Sequence, residues 1–281
     1  MDPTNYVAFA AAIAGADQDV DLFGAAMVIA RLGDGTADPH AVAAQLDLLA
    51  EQVRAYAGDR ASADALAHAI DYQLFTVCGF RGDNETYKDP RNSFLDQVVA
   101  RRRGIPITLS LLYMEVAQRV GLQCNGVGYP GHFIVRYETE RGPVYVDPFH
   151  QGERVDREEL LARLRGIHTG GASPESFLAA VTRRQLLQRM LNNLHMVYRE
   201  ARDIERWLAV VELQLRLEPW NVTLVGERGM LCYRLGRADD AMRDLERYVA
   251  APGRAGPEPN PGAIRLLDQL RLRYGGSGEP R

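Results

Sequence analysis

Cysteine is scarce in this chain, and its few copies lie far apart. The 281 residues contain three cysteines, Cys78, Cys124 and Cys232, with no CxxC pair among them. Disulfide frameworks and zinc sites built on thiols need cysteines at short, regular spacing. We therefore expect neither, and we interpret the three cysteines as reduced, buried thiols.

Long apolar runs and an excess of basic charge are also missing. No segment approaches the roughly 18 apolar residues of a membrane helix, and the start, MDPTNYVAFA, has an aspartate where a signal peptide would be basic. A net charge of −4 disfavours a general polyanion-binding surface. We expect a cytoplasmic protein that binds neither membranes nor nucleic acid. Nothing in the sequence indicates an oligomeric state.

The first third of the chain has the periodicity of helices. Residues 4–80 carry apolar side chains at three- and four-residue spacing. Pro39 and Gly58 are predicted to bound one helix, and Ser62 to cap the next. The polar stretch RGDNETYKDPRNS then predicts a loop, and Ser93 is expected to cap the following helix, FLDQVVARRR.

The central part combines one apolar helix with short β-rich segments. Pro106 begins a helix that is predicted to run, buried, to Gly121. LQCNGVGYP, GHFIVRYET and GPVYVDPF follow as strand candidates, and ERG joins the last two as a hairpin turn. A helix packed on a small antiparallel sheet indicates an α+β fold.

The remainder is helical again and repeats itself. LAVVELQLRLEP, from residue 208, aligns with AMRDLERYVAAP, from residue 241, at an offset of 33, and each follows another amphipathic helix. The offset is close to the roughly 34 residues of tetratricopeptide repeats. We predict two repeats with Ala241 packed inward, followed by a terminal helix; an ordinary helical bundle is the alternative. APGRAGPEPNPG is predicted to be a loop and GGSGEPR a loose tail.

Several blocks together carry a resemblance. YKDPRNSFLDQVVARRRGIPITLSLLYMEVAQRVGL, GVGYPGHFIV, VYVDPFHQG and the helical tail resemble the bacterial SirB-type family over roughly residues 20–255. That family has a core similar to transglutaminase-like (papain-like) cysteine proteases, followed by tetratricopeptide repeats. The resemblance implies a helical segment plus transglutaminase-like domain over 1–175, with its core at about 70–165, and a repeat domain over 183–275.

The resemblance also implies a catalytic arrangement that this chain does not complete. In the family's fold a cysteine begins the core helix, a histidine lies on the next strand and an aspartate on the strand after it. His132 and Asp147 match the second and third positions. The first falls at residues 106–108, where Thr108 is the nearest hydroxyl and Ser110 the next; a hydroxyl is a much poorer nucleophile than a thiolate unless a base is aimed at it.

Other polar residues near these motifs are weaker candidates. Capping a helix and bracing the loop is the favoured interpretation of Arg91 and Asn92, and lining a groove is the alternative. His132 and Asp147 could form a structural pair, a binding site or a residual catalytic dyad. His150 could join them around an ion, but two histidines and a carboxylate at these spacings are common, so we expect neither a metal nor a cofactor.

Two functions of different classes remain open. The first is a non-catalytic scaffold or regulatory factor that binds a protein or peptide through the face of the repeats and a groove beside His132. The second is a hydrolase or acyl transferase that uses Thr108 or Ser110 with His132 and Asp147. A hydroxyl within hydrogen-bond reach of the His132 ring would favour the second.

Overall fold

The structure is a computed structural model that describes residues 2–165, 173–251 and 259–274. The chain forms two compact units, one of Ala11–Met190 and one of Met1–Ala10 with Leu191–Arg281. The division falls inside one helix, Arg183–Ala201, which the sequence analysis placed wholly in the second domain. The described residues include no helix that is both long and apolar enough to span a membrane.

Seven α-helices lie between residues 2 and 165, and the first six fall where the sequence predicts helices, whereas the seventh was not predicted. They are α1 (Pro3–Ala12), α2 (Leu22–Ala30), α3 (Pro39–Ala57), α4 (Ala63–Asp71), α5 (Leu95–Arg101), α6 (Pro106–Arg119) and α7 (Arg157–Arg165). Ser62 caps α4 by accepting a hydrogen bond from the Ala65 amide, and Gly58 ends α3 with a φ of 77°. One π-helical turn, Tyr72–Val77, continues α4.

The predicted cap of α5 is wrong. Ser93 belongs to a preceding 3-10 turn, Pro90–Ser93, and Phe94 occupies the capping position without a side-chain bond. The turn forms because the Asp89 carboxylate accepts the Arg91 amide and Pro90 fixes the backbone of its first residue. The local DPRN signal therefore displaces the helix cap by one residue.

The sheet is antiparallel and slightly larger than the sequence indicates. The strands are β1 (Arg81–Gly82), β2 (Arg103–Gly104), β3 (Cys124–Tyr129), β4 (His132–Thr139), β5 (Gly142–Asp147) and β6 (Glu153–Val155). The last four form one sheet in the order β3-β4-β5-β6, whereas β1 and β2 make a separate parallel pair. The short strands β1, β2 and β6 were not predicted, because each has only two or three residues and no alternating pattern to read.

Both faces of the sheet are covered. Phe133, Val135 and Tyr137 of β4 are buried on the face that alternation predicts, and α6 packs on this strand. The opposite face is also apolar: it joins α7 and the 3-10 turn Pro174–Leu178 in one cluster of buried side chains, Val127, Tyr129, Ile134, Tyr145, Val155, Leu160, Leu161, Leu164 and Leu178. β4 is therefore a central, buried strand, and its first residue is His132.

The C-terminal helices follow one another in the predicted order. They are α8 (Arg183–Ala201), α9 (Ile204–Leu217), α10 (Val222–Arg234), α11 (Ala238–Val249) and α12 (Pro261–Tyr274). Ala241 is fully buried, as predicted, and a side chain at Gly229 would meet Leu245 Cγ at 3.0 Å. Residues 252–258 of the predicted loop and the tail 275–281 lie outside the described residues.

Candidate functional site

His132 and Asp147 come together across two neighbouring strands. His132 is the first residue of β4, and Asp147 is the last of β5, which pairs with it. The turn before β4 is short because Tyr129 and His132 are directly opposite in register, and Gly131 takes a φ of 78°. His132 Nε2 lies 2.7 Å from Asp147 Oδ2. His132 and Asp147 thus form the hydrogen-bonded pair that is expected from their placement on neighbouring strands.

The Asp147 carboxylate is buried and accepts four hydrogen bonds. Its Oδ1 accepts the amides of Phe149 and His150 at 3.0 and 3.3 Å, and its Oδ2 accepts His132 Nε2 and His150 Nδ1 at 2.7 and 2.8 Å. Burial favours the neutral acid, but the hydrogen bonds from the two imidazoles outweigh it and hold the pKa of Asp147 below its ordinary value. The site thus contains a carboxylate anion that is hydrogen-bonded by two imidazoles.

Aromatic rings and one arginine enclose His132. The rings of Tyr129 and Phe149 meet its imidazole edge to face, with centroids 5.5 and 6.0 Å away. Arg189 of α8 donates to the carbonyl oxygens of Tyr129 and His132, at 3.1 Å each. Arg189 was not predicted from the sequence. Its only signal was Gly128, where a side chain would come within 2.8 Å of the arginine's guanidinium.

The two candidate hydroxyls are buried and already engaged. Thr108 Oγ1 lies 2.6 Å from the carbonyl oxygen of Asn92 and 3.1 Å from that of Ile105, and the Thr108 residue is fully buried. Ser110 is equally buried, and its hydroxyl donates to the carbonyl of Phe133 at 3.4 Å. Both hydroxyls therefore donate to backbone carbonyls. The imidazoles of His132 and His150 both pair with the Asp147 carboxylate.

Arg91 and Asn92 occupy opposite environments. The Arg91 side chain is exposed and forms an ion pair with Asp89 at 2.6 Å. Asn92 is fully buried: its amide nitrogen donates to Asp83 Oδ2 at 3.2 Å and to the carbonyl of Thr86 at 2.8 Å, while its amide oxygen accepts Arg101 at 3.2 Å. These contacts support the bracing interpretation of Asn92 and leave it no exposed atom for a groove.

Replacing Asn92 with alanine tests this bracing role. The change leaves the buried Asp83 carboxylate and the Thr86 carbonyl short of a donor, so we expect the free energy of unfolding to fall by about 2 kcal/mol. Urea unfolding measures the loss, with the exposed Asn125→Ala as the matched control. Equal stability of the two variants would contradict the role.

The thiols of Cys124 and Cys232 differ from that of a reactive cysteine. Cys232 is buried, but Cys78 and Cys124 are partly exposed, so the expectation of three buried residues is wrong for two of them. The Cys124 thiol itself is shielded, and burial raises its pKa to about 12; burial raises that of Cys232 to about 11. A raised pKa is the opposite of what a reactive thiol needs.

The unit that contains His132 also has a large cavity, apart from the His132 site. Its volume is about 1050 Å³, and its walls come from the start of α2, the second half of α6, the start of β3 and the start of α8. Glu115, on its wall, is buried, and that burial raises the pKa of its carboxyl although Arg119 pairs with it. His132 does not line this cavity, so cavity size alone does not indicate the His132 site.

Comparisons with known proteins agree with the two folds described above. Residues 40–192 match the transglutaminase-like superfamily, and residues 194–266 match the tetratricopeptide repeat. The two assignments follow the order of the folds described above. The sheet with His132 and Asp147 falls inside the first match, and α9–α11 fall inside the second.

Curated relatives extend over much of the chain. A UPF0162 protein of Xylella fastidiosa is 38% identical over 186 residues, which cover 64% of this chain and 66% of the relative, just under two thirds. A UPF0162 protein of Pseudomonas aeruginosa is 31% identical over 236 residues, 81% of this chain and 83% of the relative. Human F-box only protein 21 is 31% identical over 179 residues, 60% of this chain and 28% of that protein. The chain therefore belongs to the transglutaminase-like superfamily, among the UPF0162 proteins, with tetratricopeptide repeats after the transglutaminase-like domain.

Proposed function

We propose that this protein holds a protein or peptide segment without cleaving it, as a scaffold or regulatory factor. The observation that carries the proposal is the start of α6. A thiol is expected there from the resemblance, and the chain has Pro106, Ile107 and Thr108 instead. A histidine–aspartate pair without a nucleophile has lost the step that it would assist.

The hydroxyl alternative has less support. A serine or threonine nucleophile must donate its proton to a base and must reach a substrate carbonyl. Thr108 and Ser110 are buried, and their hydroxyls donate to the carbonyls of Asn92 and Phe133. Either residue would have to break that bond and become exposed before it could act.

The repeat unit offers a surface for an acidic segment. A cavity of about 290 Å³ is lined by Tyr6, Glu212, Leu215, Arg216, Pro219, Arg228 and Arg247. Asp244 neutralises Arg228 through two bonds of 2.6 Å, and Tyr6 donates to Glu212. Arg216 and Arg247 are exposed, and their two charges exceed that of the lining carboxylate Glu212, which leaves this cavity positive overall. Stacked helical repeats commonly bind peptides on one such face.

Capture of partners by the full chain tests the proposal. We expect a protein to be retained by the wild type, to be lost with Arg216→Glu and to be kept with Arg243→Glu, whose side chain is exposed on α11 away from the cavity's lining. The mass of the retained protein should not change on incubation. Shortening or acylation that wild type causes and His132→Ala does not would instead establish the enzyme.

Thiol reactivity gives a second test. Because pKa values of about 12 and 11 leave few thiolates at neutral pH, we expect Cys124 and Cys232 to be alkylated roughly 300-fold or more slowly than an ordinary cysteine. Mass spectrometry of the native protein after timed alkylation measures the rates, with the urea-unfolded chain as the control. Fast labelling of either cysteine, with loss of an activity on replacement by alanine, would restore the cysteine-enzyme interpretation.

A further inference from the structure

We propose that His132, Asp147 and His150 form a binding site for a divalent transition-metal ion such as zinc. The three ligand atoms are His132 Nε2, Asp147 Oδ2 and His150 Nδ1, and they all lie within 4.8 Å of one another. The inference goes beyond the scaffold function and does not depend on it, because an ion could bind here with or without a peptide partner.

The two imidazoles converge on one oxygen atom. His132 Nε2 and His150 Nδ1 lie 2.7 and 2.8 Å from Asp147 Oδ2, and the two rings are 5.7 Å apart and tilted by 37°. Because a carboxylate only accepts hydrogen bonds, each imidazole points an N–H at it in this arrangement. When its proton moves through solvent to the other ring nitrogen, the ring points a lone pair instead. One cation then replaces two protons between the rings, and no proton is lost from either imidazole.

The spacing of the three atoms is close to what zinc needs. Zinc takes nitrogen and oxygen ligands at about 2.0–2.2 Å in a tetrahedron, so its ligand atoms are about 3.3 Å from one another. The two separations to Asp147 Oδ2 must therefore lengthen by about half an ångström, and the separation between the two imidazole nitrogens, which is at most 4.8 Å, must shorten by up to about 1.5 Å. His150 can supply this movement, because its side chain is 53% exposed and the 3-10 turn that carries it ends at Gln151, with a φ of 57°.

The other two ligands are held firmly. Asp147 is 2% exposed, and its second oxygen is fixed by the amides of Phe149 and His150. The His132 side chain is 16% exposed and lies between the rings of Tyr129 and Phe149. One side of the site is thus closed by protein, and the side at His150 is open to a water or to a side chain of a partner as a fourth ligand.

The ligand types favour a zinc-like ion over magnesium or calcium. Imidazole nitrogen suits zinc, copper, iron and nickel, whereas magnesium and calcium prefer sets of oxygen atoms. Two imidazoles and one carboxylate are also a set that zinc uses where a further position stays open. From the sequence we expected no metal at these three residues, because two histidines and a carboxylate at such spacings are common. The 3-10 turn after β5 brings the His150 ring back to the carboxylate.

Titration of the full chain with metal tests the site. After treatment with a chelator and its removal, we expect Zn²⁺ to bind at one ion per chain in calorimetry, and Co²⁺ to give the strong visible absorption of a tetrahedral site. His150→Ala should weaken Zn²⁺ binding by at least about 100-fold. Loss of a residue that only hydrogen-bonds to a metal ligand typically costs about 10- to 100-fold, and loss of a ligand itself should cost more. His40→Ala, an exposed histidine on α3, is the matched control and should bind as the wild type does.

Two results would overturn the site. One is the absence of saturable Zn²⁺ binding to the wild type; the other is equal affinity of His150→Ala and His40→Ala. Thermal unfolding in the presence of chelator checks that His150→Ala is folded, and His150→Asn replaces it if it is not. Loss of metal binding with partner capture intact would separate this inference from the scaffold function.

Discussion

Replacing Asp147 with asparagine should lower the free energy of unfolding by about 3 kcal/mol, measured by urea unfolding at pH 7 in the presence of a chelator. Asparagine has nearly the same shape but removes the charge that four donors share. If the NH₂ group turns toward the backbone amides of Phe149 and His150, it meets N–H donors. If it turns toward the imidazoles, both rings must change tautomer to accept from it, and no charge strengthens the remaining bonds. The Asp147 side chain is only 2% exposed, so water compensates little for this loss.

The loss should depend on pH in a defined direction. The pKa of Asp147 is lowered in the folded protein, so its charge stabilises the fold above the unfolded-state pKa, and this contribution disappears as the pH falls through the folded-state value. The stabilities of wild type and Asp147→Asn should therefore converge in acid. Asp268→Asn, an exposed aspartate on α12, is the control and should match the wild type throughout. A difference below about 0.5 kcal/mol at pH 7 would argue against a hydrogen-bonded carboxylate anion.

Replacing Ala241 with tryptophan should cost about 3 kcal/mol, the upper end of the range for overpacking a core. Ala241 is fully buried on α11, and its carbonyl oxygen lies 3.3 Å from where a side chain at Gly229 of α10 would begin. The two helices are in such close contact that an indole cannot fit without moving one of them.

Thermal and urea unfolding measure this effect. Arg243→Trp adds the same indole to an exposed position of α11 and should change stability little. If Ala241→Trp unfolds at the same temperature as Arg243→Trp, the close packing of α10 and α11 described above is incorrect, and with it the repeat-like arrangement of this pair.

Local signals account for the parts of the fold that the sequence predicted. Pro39, Ser62 and Pro106 act on their own backbone, through a fixed φ or a side-chain cap, so their helices can be located without knowing the rest of the chain. The transglutaminase-like and repeat assignments also follow from ordered motifs, and the comparisons confirm both. The narrower resemblance to the SirB-type family stays a prediction.

Of the site, the sequence predicted only the placement of His132 and Asp147 on neighbouring strands. The resemblance places His132 and Asp147 on neighbouring strands, and adjacent strands can hold such residues side by side. The position of His150 depends on a 3-10 turn after β5, and that of Arg189 on a helix far along the chain. Neither has a local pattern. The roles of Arg91, Asn92, Thr108 and Ser110 likewise depend on burial, which the sequence alone does not fix.

Arg189 has a consequence for the length of chain that a complete His132 site requires. The β-sheet ends at Val155, yet the carbonyls on either side of the Tyr129–His132 turn are held from residue 189, and the guanidinium also stacks on Phe133 at 5.4 Å. A fragment that ends just after the sheet would keep His132, Asp147 and His150. It would lose the Arg189 guanidinium, which holds the backbone carbonyls of Tyr129 and His132. Such a fragment would also lose α7 and the Pro174–Leu178 turn, so a complete His132 site needs the chain at least as far as Arg189, 34 residues beyond the last residue of β6.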